Sequence, residues 1–166
     1  MDFLIFSDSH GRRNKIDRVL DRQVRMPDAI FFLGDGVGDL CDRERDIPVF
    51  RVRGNCDWRI GEENVPEEEI LTFEGKRIFL CHGHRFGAKS GTAGLLRAAV
   101  ERNADIVLFG HTHGQFTETV PAGTQLGSVL LQKPVTLFNP GSIGYAGSFG
   151  TLHLTAQTVL FAHGLL

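Results

Sequence analysis

A chain of 166 residues, 42% apolar and 23% charged, is long enough for one domain with a real core and has the composition of an ordinary globular protein. A formal net charge of -2 gives no overall basic excess for nucleic-acid binding, although bound cations would still let an anionic substrate approach. The three cysteines, Cys41, Cys56 and Cys81, are too few for a disulfide framework, no segment reaches the ~18 apolar residues of a membrane span, and the apolar run after Asp2 is too short for a signal peptide, so a soluble protein of a reducing cytoplasm is expected.

Residues 3–6 (FLIF) form the first apolar run and read as a buried strand. Asn14 is placed to cap a helix in which Ile16, Val19, Leu20 and Val24 recur at helical spacing until Pro27 stops the pattern. Strands are expected at 29–33 and 49–52, then a hairpin of 70–73 and 78–81 around Glu74-Gly75-Lys76. The acidic stretch 62–69 before it reads as a solvated loop leading into a strand. A second helix is expected over 90–102, with Leu95, Leu96, Ala99 and Val100 as its apolar face, followed by a buried strand at 106–109. From Phe116 onward the pattern turns to short β-like pieces at 116–120, 128–131, 135–138, 150–154 and 158–162, separated by Gly and Pro. Strand and helix alternate first and strand predominates later, which predicts two packed sheets with helices outside, as one α/β domain over 1–166.

The polar residues that follow the apolar runs carry the chemistry. They are Asp8-Ser9-His10, Gly34-Asp35, Gly54-Asn55-Cys56-Asp57, His82-Gly83-His84, Gly110-His111-Thr112-His113 and Asn139-Pro140-Gly141-Ser142. In α/β sheets ligands bind beyond the carboxyl ends of the strands, so parallel strands would bring these tails to one edge. Carboxylate, imidazole and amide donors suit divalent ions such as Mn, Fe, Zn or Ni, and the absence of a C-x-x-C pair excludes a thiolate-rich zinc site. Five of the seven histidines lie in these tails; His153 and His163 do not and read as structural. Taken singly, Gly34-Asp35 is an ordinary turn and Asp8-x-His10 arises easily by chance. As an ordered set after apolar runs, the six tails point to a metal centre.

That set, D-x-H, G-D, G-N-C-D, H-G-H, G-H-T-H and N-P-G-S, resembles the calcineurin-like metallophosphoesterase superfamily, and within it the small bacterial and archaeal phosphodiesterases. The resemblance runs from Asp8 to Ser142. It implies a four-layer αββα sandwich and a centre of two divalent transition-metal ions, with manganese preferred over iron, zinc or nickel. It also implies the ligands: Asp8, His10, Asp35 and His113 for the first ion, and Asp35, Asn55, His82 and His111 for the second, with Asp35 shared. Many members carry histidine after the motif asparagine, where this chain has Cys56, so the proton donor to the leaving group stays open among His84, Asp57 and Cys56. His84 is favoured because imidazole titrates near neutrality. Asp57 reads rather as a partner that orients a ligand or an arginine, and Arg12, Arg53 and Arg85 as solvated or salt-bridged.

The expected reaction is hydrolysis of a phosphate ester, a diester by preference, through a hydroxide activated between two cations about 4 Å apart, with Asn55 and His84 also contacting substrate. The expected partner is a small phosphate ester, not a membrane or a nucleic acid. Apolar strand edges in the tail are compatible with a homo-oligomer and equally with core packing. Rival readings are a protein-binding scaffold on the same fold, as in a retromer subunit, and a metal hydrolase of non-phosphate esters.

Overall fold

The computed structural model describes residues 1–40, 46–59 and 61–166; Cys41 lies outside them. In chain order the elements are β1 (Asp2–Phe6), α1 (Arg13–Leu20), β2 (Ala29–Phe32), β3 (Val49–Arg51), β4 (Glu68–Phe73), β5 (Lys76–Cys81), α2 (Ala93–Glu101), β6 (Ile106–Leu108), β7 (Gln115–Val120), β8 (Gln125–Leu126), β9 (Val129–Leu130), β10 (Val135–Pro140), β11 (Ser148–Leu154) and β12 (Val159–Leu165). Two five-stranded sheets result, with orders β12-β11-β1-β2-β3 and β4-β5-β6-β10-β7. Within the first, β1, β2 and β3 are parallel; within the second, β5, β6 and β10 are parallel. The short pair β8-β9 stands apart from both.

The central strands are apolar throughout because both of their faces are covered. Phe3 and Ile5 of β1 point into the core between the sheets, where they meet Phe31, Ile78, Leu80, Leu108 and Phe138. Leu4 and Phe6 point the other way, onto Ile16, Val19 and Leu20 of α1. In β5 the same alternation sends Ile78 and Leu80 inward and Phe79 and Cys81 onto Leu95, Leu96 and Ala99 of α2. The outcome is helix, sheet, sheet, helix: the αββα sandwich. Phenylalanines tie the inter-sheet core together, with Phe3 stacked on Phe31 at 4.8 Å between ring centroids and edge-on to Phe73 at 5.1 Å.

The helices are shorter than their sequence pattern. α1 ends at Leu20, and Val24 is fully exposed instead of extending the apolar face. The eight-residue α1, ~12 Å long at ~1.5 Å per residue, lays Ile16, Val19 and Leu20 on Leu4 and Phe6 of β1 and Ile30 and Phe32 of β2. Asn14 lies inside α1 and does not cap it, and no side chain caps the preceding Arg12 position. α2 starts at Ala93, three residues after the expected Ser90; residues Ala88–Ser90 form a short 3-10 turn, and Gly91 at φ 131° separates the two. The hairpin turn is as expected, with Glu74 and Gly75 both left-handed at φ 50° and 74°. The acidic stretch departs from a merely solvated loop: Glu68 and Glu69 are part of β4, Glu68 pairs with Arg102 at 2.6 Å, and Glu67 pairs with both Arg53 and Arg85.

Among the described residues no helix is long and apolar enough to cross a membrane.

Candidate metal centre

All six tails singled out in the sequence leave the carboxyl ends of parallel strands, three from each sheet. The two sheets are stitched together at this rim: the Ile143 N–H donates to the Ser7 carbonyl and the Gly144 N–H to the Asp8 carbonyl, each at 3.1 Å. Within the second sheet the Gly110 N–H donates to the His82 carbonyl at 3.1 Å, joining the tails of β6 and β5. Gly110 has no room for a side chain: a Cβ there would overlap the Ser7 hydroxyl and reach 2.8 Å from the Asp8 carboxylate.

Backbone strain concentrates here. Asp8, His10, Asp35, His111 and His113 all have positive φ, between 47° and 66°; the other described non-glycine residues in that region are Glu74 in the hairpin turn and Asn103 after α2. Each costs of order 1 kcal/mol relative to ordinary backbone, so the surrounding contacts must over-determine the rim.

Asp8 is completely buried. Its Oδ2 accepts from the Ser7 hydroxyl at 2.6 Å and the His111 N–H at 3.1 Å. Its Oδ1 faces three imidazoles, with Nε2 of His113 at 3.2 Å and Nε2 of His10 and of His82 each at 3.9 Å. Burial pushes the Asp8 carboxyl above its ordinary range, partly opposed by the His82 imidazole.

Asp35 faces the same space. Its Oδ2 is 3.4 Å from His82 Nε2 and 3.9 Å from His10 Nε2, while its Oδ1 accepts from the Cys56 N–H at 2.8 Å. Burial acts to raise its pKa, but His82 and the Cys56 N–H outweigh it and hold the carboxyl well below the usual range. Gly54 packs on this side chain so closely that a Cβ would overlap it. The backbone of both loops is held by Asp57, a buried carboxylate that accepts from the N–H groups of Asp35, Gly36 and Gly54 at 2.7 Å each and from Val37 at 3.1 Å. Asp57 therefore orients backbone amides, among them that of Asp35, one of the expected ligands. The Asn55 side chain is exposed, with Nδ2 3.3 Å from the Cys56 sulfur.

His82 is buried, and its Nδ1 lies 2.6 Å from the Leu33 carbonyl. Donation from Nδ1 to that carbonyl leaves Nε2 as a lone pair aimed at the two carboxylates. Burial acts to lower the His82 pKa, but Asp35 and Asp8 outweigh it and raise it. The His111 ring is 5.1 Å from His82, and its pKa is pushed down to about 4, by burial first and by His82 second. His84 lies 5.5 Å from His82 and 6.0 Å from His111, ring to ring, and is lowered for the same two reasons. The Cys56 thiol is raised to about 11 by desolvation and by Asp35. This makes it a poor proton source near neutral pH.

Three donor groups emerge among the described residues. Asp8, His10 and His113 each offer one atom within 4.8 Å of the others, so do Asp8, Asp35 and His82, and the Cys56 sulfur forms a third group with His10 and Asp35. His111 stands beside the second group, ring to ring with His82. Arg53 and Arg85 are held by Glu67, and Arg12 lies over the Tyr145 ring at 4.8 Å. His163 stacks on Phe138 and its Nε2 lies 3.0 Å from the Asn139 carbonyl; His153 pairs with Asp2 at 2.7 Å, so both are structural. Sequence reading gave no role to Ser7, Ser142 or Tyr145. Ser142 Oγ donates to the Asp8 carbonyl at 2.8 Å, and Tyr145 stacks on His113 at 5.1 Å. Ser142 closes a tail already picked out and Ser7 directly precedes another, so adjacency was an available signal; for Tyr145 none was.

Four buried atoms of the site, Asp8 Oδ1, His10 Nε2, His82 Nε2 and His84 Nδ1, have no hydrogen-bond partner. Leaving such atoms unpaired costs about 1–3 kcal/mol each, more for a charged one. Two donors bound to one first-row ion at about 2.0–2.2 Å stand roughly 3–3.5 Å apart, close to the 3.2 Å and 3.4 Å contacts found here. The donor set thus fits divalent metal.

A profile of the calcineurin-like phosphoesterase superfamily domain matches residues 1–163. The chain belongs to this superfamily. Among its relatives, Phosphodiesterase YfcE of Escherichia coli (strain K12) is 32% identical over 96% of this chain and 91% of its own length. A crystal structure of a predicted phosphoesterase from Streptococcus pneumoniae TIGR4 superimposes with a TM-score of 0.69 at 26% identity, covering 98% of this chain and 87% of that one. Vps29 from Entamoeba histolytica, solved with Zn2+, gives a TM-score of 0.72 at 21% identity over 99% and 98% of the two chains, a likeness of fold alone. As a calcineurin-like phosphoesterase, the chain combines a metallophosphoesterase fold with an Asp/His cluster suited to divalent metal.

Proposed function

We propose that residues 1–166 act as one cytoplasmic, metal-dependent phosphodiesterase domain that hydrolyses a small phosphate diester. The observation that carries this reading is the set of unpaired, buried donors Asp8 Oδ1, His10 Nε2 and His82 Nε2 facing one space between two sheets. Preference for a diester is supported by the relative named as a phosphodiesterase.

Asp8, His10, Asp35 and His113 would hold one divalent ion and Asp35, Asn55, His82 and His111 the other. Asp35 is suited to sharing because its Oδ2 faces His10 on one side and His82 on the other. A pair of such ions, manganese by preference, supplies Lewis acidity and a hydroxide nucleophile at neutral pH. The residues of the chain do the rest. Asp57 and Ser142 fix the loops, and the Leu33 carbonyl fixes the His82 ring. A cleft of about 400 Å³ opens beside the cluster, lined by His10, Asp35, Asp39, Cys56, Trp58, Arg59 and Glu62 among others. Its acidic lining admits a phosphate only once cations have reversed the local charge. His84, half-buried and lowered in pKa, is neutral near pH 7 and can donate an N–H to a phosphoryl or leaving oxygen.

The test is turnover of bis(4-nitrophenyl) phosphate by the purified chain with added Mn2+, followed by chelation and reconstitution. Activity is expected to vanish with the metal and return with it. Full activity in a metal-stripped preparation would sink the mechanism. The absence of turnover on any phosphate ester with any first-row ion would favour the protein-binding scaffold suggested by the Vps29-like fold.

A further inference from the structure

The chain contains one tryptophan and one tyrosine, and both stand at the metal centre. Their situations differ. Tyr145 is engaged: its ring stacks on His113 at 5.1 Å and 26°, lies 5.2 Å from the His10 ring, and carries the Arg12 guanidinium at 4.8 Å. It serves the protein's own side chains. Trp58 is 81% exposed, and no ring or cation among the described residues packs on it.

A bare indole facing water leaves ~200 Å² of mostly apolar ring without a partner. On a loop free to move this would carry little meaning. Trp58 is not on such a loop. Asp57, the residue before it, is pinned by four backbone N–H groups, and the N–H of Arg59, the residue after it, donates to the Glu62 carboxylate at 2.7 Å. The indole is therefore carried between two anchored neighbours, and it lines the same cleft as His10 and Asp35. An amphipathic ring carried on anchored backbone beside a phosphate-sized reaction centre offers a face on which a second, planar ring can stack.

We propose that Trp58 is a stacking platform for a planar ring carried on the substrate, and that the site accordingly selects phosphoesters of nucleosides over those of simple aliphatic alcohols. This rests on the phosphoesterase reading of the same site. Phosphate would be held at the metal centre and the base laid on the indole, with Arg59 at the cleft wall to meet polar substituents. Tyr145 does not share this role: although its side chain is exposed, its ring is already engaged by His113 and Arg12.

The test compares two phosphates that differ by the base: adenosine 5′-monophosphate and ribose 5-phosphate. Each is measured as an inhibitor of bis(4-nitrophenyl) phosphate turnover and, separately, by quenching of the fluorescence of the single tryptophan in the metal-loaded protein. Adenosine 5′-monophosphate is expected to bind about fivefold or more tighter than ribose 5-phosphate and to quench the tryptophan. Trp58→Ala should bring the ratio of the two inhibition constants to near one, and Trp58→Phe should keep most of it. Equal binding of the two phosphates, or a preference that Trp58→Ala leaves intact, would overturn the proposal while leaving phosphoester hydrolysis standing. Base-dependent quenching in a protein that turns over no phosphoester would do the reverse, supporting the platform and removing the hydrolase.

Discussion

The two ends of the sandwich carry cavities of opposite character. At the amino-terminal end of β1 a cavity of about 660 Å³ is bounded by Asp2, residues 22–27, His153 and Leu160. At the carboxyl ends of the strands the cleft is smaller, about 400 Å³. The larger cavity has no residue with positive φ in its lining, and at its rim His153 pairs with Asp2 at 2.7 Å. The smaller cleft borders left-handed residues and unpaired buried donors. Volume alone points to one end, whereas strain and unsatisfied polarity, which persist only where something else compensates, point to the end that carries the Asp/His cluster.

The sharpest way to break this comparison is at Asp35. Asp35→Asn keeps the shape and the Cys56 contact but removes the charge between His10 and His82, and is expected to lower kcat/KM by about 10²–10³-fold together with metal content. Retained metal and unchanged kcat/KM would remove it from the centre. Next comes Asp57→Ala, which strands four backbone N–H groups and should destabilise the fold by about 3–5 kcal/mol in denaturant titration. Loss below about 1 kcal/mol would mean water satisfies those amides. His84→Ala should slow alkyl diesters about tenfold more than 4-nitrophenyl diesters, since only the former need help at the leaving oxygen. An equal loss on both would reduce His84 to a binding residue.

The smallest effect belongs to the opposite end. A hydrogen bond from His153 holds the Asp2 carboxyl below its ordinary pKa, so the unfolded chain binds the proton more readily. The stabilisation is therefore complete above the unfolded value near 4 and lost as pH falls through the lowered folded value. Because both side chains are about half exposed, His153→Ala should change stability at pH 7 by less than about 1 kcal/mol and leave turnover untouched. A large effect on activity would erase the contrast between the two ends.

Much of this was readable in the chain because apolar runs ending in Gly, Asp, Asn or His mark a strand and the site at its end together. Residues 3–6, 29–33 and 78–81 became β1, β2 and β5 with shifts of one or two residues at their ends. Helix limits were not readable: Val24 continues the helical period, yet it is Ile16, Val19 and Leu20 that pack on β1 and β2, and Val24 stands exposed. Nor was the partner of Asp57, since a carboxylate and four amides drawn from two loops share no local pattern.

Sequence by itself determined the order of strands and helices and the two-sided burial of the central strands, and it singled out Asp8, His10, Asp35, His82 and His113, which the fold brings together, because these depend on side-chain chemistry and short-range periodicity. Tertiary structure alone decided which donors face one another, that Asp8 Oδ1 meets imidazoles from both sheets, and that the Tyr145 ring stacks on His113 while Trp58 stands 81% exposed. Those facts depend on how two separate sheets are juxtaposed at their carboxyl rims, and that juxtaposition is set by the packing of the core between them, not by any one segment.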